Sequence, residues 1–158
     1  MSAENKLRAL GLTLPPPPKP VASYVPAVLS GDLLFVSGML PMRDGVPAWT
    51  GKLGRELSVE QGAEAAKLAC LNALAVVRAE LGSLDRVARV VRLSGHVASA
   101  EGFVNQPAVV NGASDLLVAV FGEAGRHARL ALGAFQLPLN APIELELIVR
   151  VNPESPQN

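Results

Sequence analysis

The chain has 158 residues, 49% hydrophobic and only 4% aromatic, and its 14 Lys and Arg balance its 14 Asp and Glu. That length suits one domain with a real core, and the zero net charge with no basic patch argues against a dedicated nucleic-acid or membrane-surface binder. The lone Cys70 excludes an internal disulfide, no apolar run follows Lys6 and Arg8 as a signal peptide would need, and no stretch approaches the ~20 apolar residues that span a bilayer, so a cytoplasmic protein is expected.

Residues 2–10 read as a short helix with Ser2 as N-cap and Gly11 as its stop. The run Leu14-Pro-Pro-Pro-Pro-Lys-Pro20 favours an extended, rigid arm, either a strap packed on the body or a partner-binding proline motif. Residues 33–36 form a buried strand run ended by Ser37-Gly38, and residues 41–54, with Gly45, Pro47 and Gly51, a loop or loose hairpin. Trp49 inside that loop covers the core or lines a pocket. Ser58-Val-Glu-Gln61 is a capping-box pattern, opening a helix that runs to about Leu81 and stops at Gly82. Val59, Ala63, Ala66, Cys70, Ala73, Leu74, Val77 and Leu81 make its apolar stripe. Its many alanines let the helix lie close to a sheet, and Cys70 within the stripe is a small core residue.

Residues 87–97 predict a strand with Val87, Val91, Leu93 and Val97 on one face, Arg89 as an exception, and Arg92, Ser94 and His96 on the other. Residues 98–106 form a loop, and a second helix follows over about 113–123, with Leu116, Leu117, Val120 and Phe121 apolar and Asn111 or Ser114 as its cap. Two further strands are joined by a Pro/Asn loop. The first sends His127, Arg129, Ala131 and Gly133 to one face and Ala128, Leu130, Leu132 and Ala134 to the other. The second sets Ile143, Leu145, Leu147 and Val149 against Glu144, Glu146 and Ile148. Arg92, Ser94, His96, His127, Arg129, Glu144 and Glu146 are expected on faces turned away from the core, a half-polar surface suited to an interface. The element order gives a two-layer α+β domain, a mixed sheet with two helices packed on one face. Residues 1–20 form an N-terminal helix and proline-rich arm, 21–151 the domain and 152–158 a frayed tail.

Three motifs in this order resemble the RidA/YjgF family of reactive-intermediate imine deaminases: Tyr24-Val-Pro-Ala-Val, then Gly31-Asp-Leu-Leu-Phe-Val-Ser-Gly-Met-Leu-Pro41, then Arg129 before Leu137-Pro138 with the closing pair Ile143-Glu144. The resemblance covers residues 20–151. It implies the chorismate-mutase-like fold and a homotrimer with pockets between subunits. It also implies that Arg129 holds the substrate's carboxylate, for which a planar, permanently charged guanidinium is suited. Glu144 would contact the water that attacks the imine, a task for a carboxylate base. Glu144 pairing with Arg129 or Arg92 is the plainer alternative. Tyr24 matches an aromatic supplied by a neighbouring subunit, against the alternative of a capped core tyrosine. Ser37 and Gly38 match a loop that contacts substrate through its backbone. Ala131 stands where many relatives have a cysteine used through its backbone, and Asn111 matches a family asparagine with a one-residue insertion. Met39 in place of Gln, the large Leu130, Phe135 and Gln136 depart from the family pattern, which marks a divergent branch whose substrate is open. Core members of the family lack the proline arm.

His96, His127 and Cys70 show no metal-ligand spacing, no Walker loop or GxGxxG follows a strand, and no nucleophile set is recognisable, so neither metal nor organic cofactor is expected. The reading that follows is hydrolysis of 2-imino or enamine acids to 2-oxo acids and ammonia, by a trimer whose partner is a small carboxylate-bearing substrate. A non-enzymatic binder or regulator using the same pocket is the rival. A ribonuclease is the weaker alternative, given the charge balance and few aromatics.

Overall fold

The computed structural model describes residues 1–19 and 23–153. Its elements are α1 (Ala3–Ala9), β1 (Ala27–Ser30), β2 (Leu33–Met39), β3 (Met42–Arg43), β4 (Val46–Pro47), α2 (Val59–Leu81), β5 (Val87–Ala98), α3 (Gln106–Phe121), β6 (Ala128–Ala134) and β7 (Ile143–Val151). Five strands make one sheet in the order β1-β2-β7-β5-β6. It is mixed: β6 runs parallel to β5, and the other neighbours are antiparallel. Helices α2 and α3 pack on one face and on each other, while α1 rests on α3. This is the two-layer α+β arrangement expected, with a third, short helix outside it.

The capping box on α2 forms in full. Ser58 Oγ accepts from Gln61 N at 3.2 Å, and Gln61 Oε1 accepts from Ser58 N at 2.9 Å. Gly82 ends the helix at φ +80°, a conformation costly for a residue with a Cβ. The alanines do what their size permits: Ala65, Ala66, Ala69, Cys70 and Ala73 have no exposed surface, and α2 lies directly on β2 and β7. From β7, Ile143, Leu145, Leu147 and Val149 are all fully buried against it. At the other end of the chain, Ser2 caps α1, and Glu4 ties it down by accepting from Leu84 N at 3.0 Å. The arm then inserts Leu14 into the core, while residues 16–18 stay exposed. Pro20 of the expected arm, and the tail beyond Pro153, lie outside the described residues.

Three expectations need correcting, and the strand order adds one fact that the chain order does not give. Helix α3 begins at Gln106, not near Ala113, so Asn111 and Ser114 are inside it and cap nothing. Its N-cap, Asn105, makes no side-chain cap bond, and the usable signal was Pro107 in the first turn. Gly112 is tolerated mid-helix because α2 passes so close that a Cβ there would run into the Ala63 backbone. Strand β2 continues through Ser37 and Gly38 to Met39, with a register shift between Val36 and Met39. In β5 two register shifts against β7 turn Arg89 outward and bury Val90 instead of Val91. Finally, β6 and β7 are consecutive in sequence but not neighbours, because β5 lies between them.

One stretch, Gln106–Gly125, is long and apolar enough by length and composition to cross a membrane, although the sequence suggested none. It is α3 with its following turn, and Val109, Val110, Ala113, Leu116, Leu117 and Val120 are buried against the rest of the fold.

Candidate functional site

The sheet register decides which candidate residues can meet. Arg129 stands level with Leu93 of β5, which stands level with Leu147 of β7. Both leucines are fully buried under the helices, so Arg129 projects on the helix side. Its partners agree: Nη1 donates to Asn111 Oδ1 at 2.7 Å and to Ser114 Oγ at 3.3 Å, both on α3. Glu144 stands level with His96, and His96 with Leu132, on the open side. Arg129 and Glu144 therefore lie on opposite faces, two strand spacings apart, roughly 10 Å before the sheet's thickness is added. The alternation along β6 was legible; which of its faces meets the helices was not.

The arginine is held by a chain of bonds. His127 Nδ1 lies 2.6 Å from the Gly125 carbonyl, which can only accept, so Nδ1 carries the proton. Nε2 of the neutral ring then accepts, and Ser114 Oγ at 3.0 Å donates to it. That orients the Ser114 lone pairs toward Arg129 Nη1. Nε and Nη2 of Arg129 have no partner among the described residues. A guanidinium fixed through one nitrogen, with its other N–H groups free, is arranged to receive a carboxylate. Ala131 follows two residues later on β6, an edge strand with an unpaired row of backbone groups. Ser114 and His127 were not recognised as site residues from the sequence. The i, i+3 spacing of Asn111 and Ser114 is the signal, and it is usable only once α3 is known to include both.

A second group gathers near the other edge. Gly38 lies over Glu144, and a Cβ on it would strike the carboxylate, so glycine is what lets that side chain stand there. Ser37 donates through N to Pro26 O at 2.8 Å and through Oγ to Val25 O at 2.7 Å, pinning the segment that carries Tyr24. Tyr24 is 54% exposed, so it is not a capped core tyrosine. Neither Arg129 nor Arg92 pairs with Glu144 among the described residues: Arg129 faces α3, and Arg92 Nε donates to Ser94 Oγ at 3.3 Å. Around this group the open face mixes charge with exposed apolar side chains, Val28, Phe35 and Leu132.

Residues 4–150 match the family model described as "YjgF/chorismate_mutase-like, putative endoribonuclease". The chain belongs to the YjgF/chorismate-mutase-like family. The matched stretch takes in α1 from Glu4 onward and the proline arm. Among solved structures, protein Atu1372 of Agrobacterium tumefaciens is 48% identical with a TM-score of 0.89, over 95% of this chain and 92% of that one. An endoribonuclease-named protein of Shewanella oneidensis MR-1 is 34% identical with a TM-score of 0.92, over 96% and 100%. RidA from the Antarctic bacterium Psychrobacter sp. PAMC 21119 is 26% identical with a TM-score of 0.59, over 85% and 94%. Members of this family thus carry both a Rid name and an endoribonuclease name. The branch's own departures have physical roles here. Met39 is a buried core residue, and Phe135, 87% exposed, lies under Lys52 Nζ at 4.1 Å from its ring centroid.

Proposed function

We propose that the protein hydrolyses 2-imino acids, or their enamine tautomers, to 2-oxo acids and ammonia in pockets formed between the copies of a homotrimer. One observation carries this: the candidate residues form two half-sites, Arg129 with Asn111 and Ala131 on the helix side at one edge, and, toward the other, Glu144 on the open side beneath Gly38, with Ser37 beside it pinning the segment that carries Tyr24. One chain cannot offer both to one small molecule. Two copies can, when the edge strand of one meets the open face of the next. Membership of a family that includes a RidA protein supports the same reading.

In such a pocket Arg129 grips the carboxylate with its free N–H groups, and the Asn111–Ser114–His127 chain fixes the angle of that grip. Backbone groups of Ser37, Gly38 and Ala131 surround the imine, and Tyr24 closes one side. Glu144 accepts a proton from a water as the water's oxygen bonds to the imine carbon. Glu144, now protonated, passes that proton to the nitrogen of the tetrahedral adduct and takes the hydroxyl proton as the C–N bond breaks, releasing ammonia and leaving the 2-oxo acid. No metal or organic cofactor takes part.

The test is ammonia release from 2-iminopropanoate generated in situ. Turnover above the uncatalysed rate supports the reading. Saturable binding of 2-oxo acids with no turnover on any of several imines would replace it with the small-carboxylate binder, and cleavage of RNA by the purified protein would replace it with the nuclease.

A further inference from the structure

We infer that the substrates of this site are 2-imino acids whose side chain is bulky, apolar and tipped with a hydrogen-bond donor, as in a hydroxyphenyl or indole group. The inference rests on the imine-hydrolase reading above. It comes from a cavity of about 210 Å³ beside Gly38, walled by Tyr24, Pro26, Met39, Leu40 and Met42, bordered by Pro18 and Lys19 of the arm and reaching Asn72 of α2. Gly38 flanks both this cavity and the Glu144 carboxylate. Glu144 stands on the open face and Asn72 on the helix face, so the side chain of an imine held near Glu144 reaches the cavity by rounding the sheet at Gly38, which lies beyond the end of β1. Apolar cavities of about 150 Å³ accommodate benzene, so there is room for a ring and a substituent.

Asn72 makes the slot selective. It is a polar residue in the fully packed stretch of α2, and only 5% of it is exposed. Its Nδ2 donates to Leu40 O at 3.2 Å and to Met42 O at 3.1 Å. Only an NH2 group can serve two carbonyls, so the orientation of the amide is fixed. Oδ1 receives no hydrogen bond from any described residue, yet it is not sealed from solvent, so it faces open space that Asn72 lines. Oδ1 is open to water in the empty slot, and a ring that displaces that water leaves the acceptor unpaired unless the ring carries a donor. The ring gains from burial against Met39, Leu40 and Met42. A ring without a donor leaves Oδ1 unpaired, and a methyl side chain leaves the slot to water. The groove under the proline arm, about 890 Å³, also has Met42 and Asn72 in its wall, which leaves space beyond the ring.

Calorimetry with product acids tests this without requiring turnover. The wild-type protein is expected to bind 4-hydroxyphenylpyruvate about five- to tenfold more tightly than phenylpyruvate, the difference one net hydrogen bond makes, and phenylpyruvate more tightly than pyruvate. In Asn72→Leu the first ratio falls to about one. Because Asn72 also holds two carbonyls, Met42→Trp is the second variant. It keeps the Met42 carbonyl, fills the slot, and should remove the advantage of both aromatic acids over pyruvate. Equal binding of the three acids by wild type, or an unchanged ratio in folded Asn72→Leu, overturns the inference. Hydrolysis of 2-iminopropanoate with no aromatic preference would sink the slot and leave the reaction standing. An Asn72-dependent preference in binding, with no turnover of any imine, would do the reverse.

Discussion

Arg129 is bonded to α3 through a single nitrogen, and the consequence is sharp at the level of one residue. Arg129→Lys keeps the charge and loses the planar fork, so a carboxylate would be held by one drifting contact. Misplacement of about 1 Å can cost on the order of a hundredfold in rate. We expect that loss in ammonia release, with the circular dichroism of the folded protein retained, since Arg129 is exposed and its removal opens no cavity. Glu144→Gln should do less damage, because glutamine still orients water and a protonated imine is already electrophilic. Wild-type rates in folded Arg129→Lys would return Arg129 to structure. His127→Ala frees the Ser114 hydroxyl and loosens the same arginine. It should raise KM more than it lowers kcat, and His127→Gln, which can still accept from Ser114, should recover part of the loss. Equal changes in both variants would mean that His127 does not act through Arg129. Cys70 is a separate case: burial pushes its thiol up to about 12 from 9.0. The unfolded chain therefore releases this proton first. The contribution to stability is complete below pH 9 and declines from there toward about 12. At neutral pH the native thiol should resist a disulfide reagent until urea unfolds the chain. Rapid native labelling would contradict the buried position.

At the scale of elements, Ser58→Ala should lower stability by about 1 kcal/mol in urea titration, since the capping box satisfies end groups of α2 in both directions. Gly112→Ala should cost more, about 1–3 kcal/mol, because the two helices must part at Ala63. A neutral Gly112→Ala would mean that α2 and α3 do not approach so closely. These two positions also mark how far the fold could be read from the sequence. Ser58 and Gln61 announce themselves because a capping box is local chemistry at fixed spacing. Gly112 does not, since its reason lies in another helix, and a glycine met alone weakens a helix prediction. For the same reason the sequence places the start of α3 seven residues late, at Ala113 rather than Gln106. The alternation of β7 was legible because one face is uniformly apolar. On β5 the bulges shift the alternation, and on β6 both faces are mixed. There, neither period nor composition says that Arg129 looks toward α3 and Glu144 away from it. The candidate residues could be named, but their division between two faces needed the register.

That division reaches the whole molecule. A charged, part-apolar sheet face carrying Phe35, Val28 and Leu132 is poorly suited to open water, and it adjoins one half-site while the other sits at the far edge. We expect a trimer in sedimentation at micromolar concentration, and a stable monomer would remove the shared pocket. We also expect turnover to survive chelation, because His96 and His127 lie on different faces with no ligand-like spacing between them. Loss with EDTA and recovery with a divalent ion would refute this. The decisive measurement mixes two damaged chains. In a cyclic trimer each pocket would take Arg129 from one copy and Glu144 from the next. Arg129→Ala and Glu144→Ala chains, unfolded together at equal concentration and refolded, place an intact arginine opposite an intact glutamate in about one pocket in four. The mixture should then work several-fold faster than the mean of the two variants refolded apart. A site built within one chain contains one lesion in every copy however the copies are mixed, so the mixture would match that mean. Recovery therefore reports where the halves meet, and its absence in a mixture shown by mass spectrometry to contain mixed trimers would place both residues in one subunit's site, against the register of the sheet.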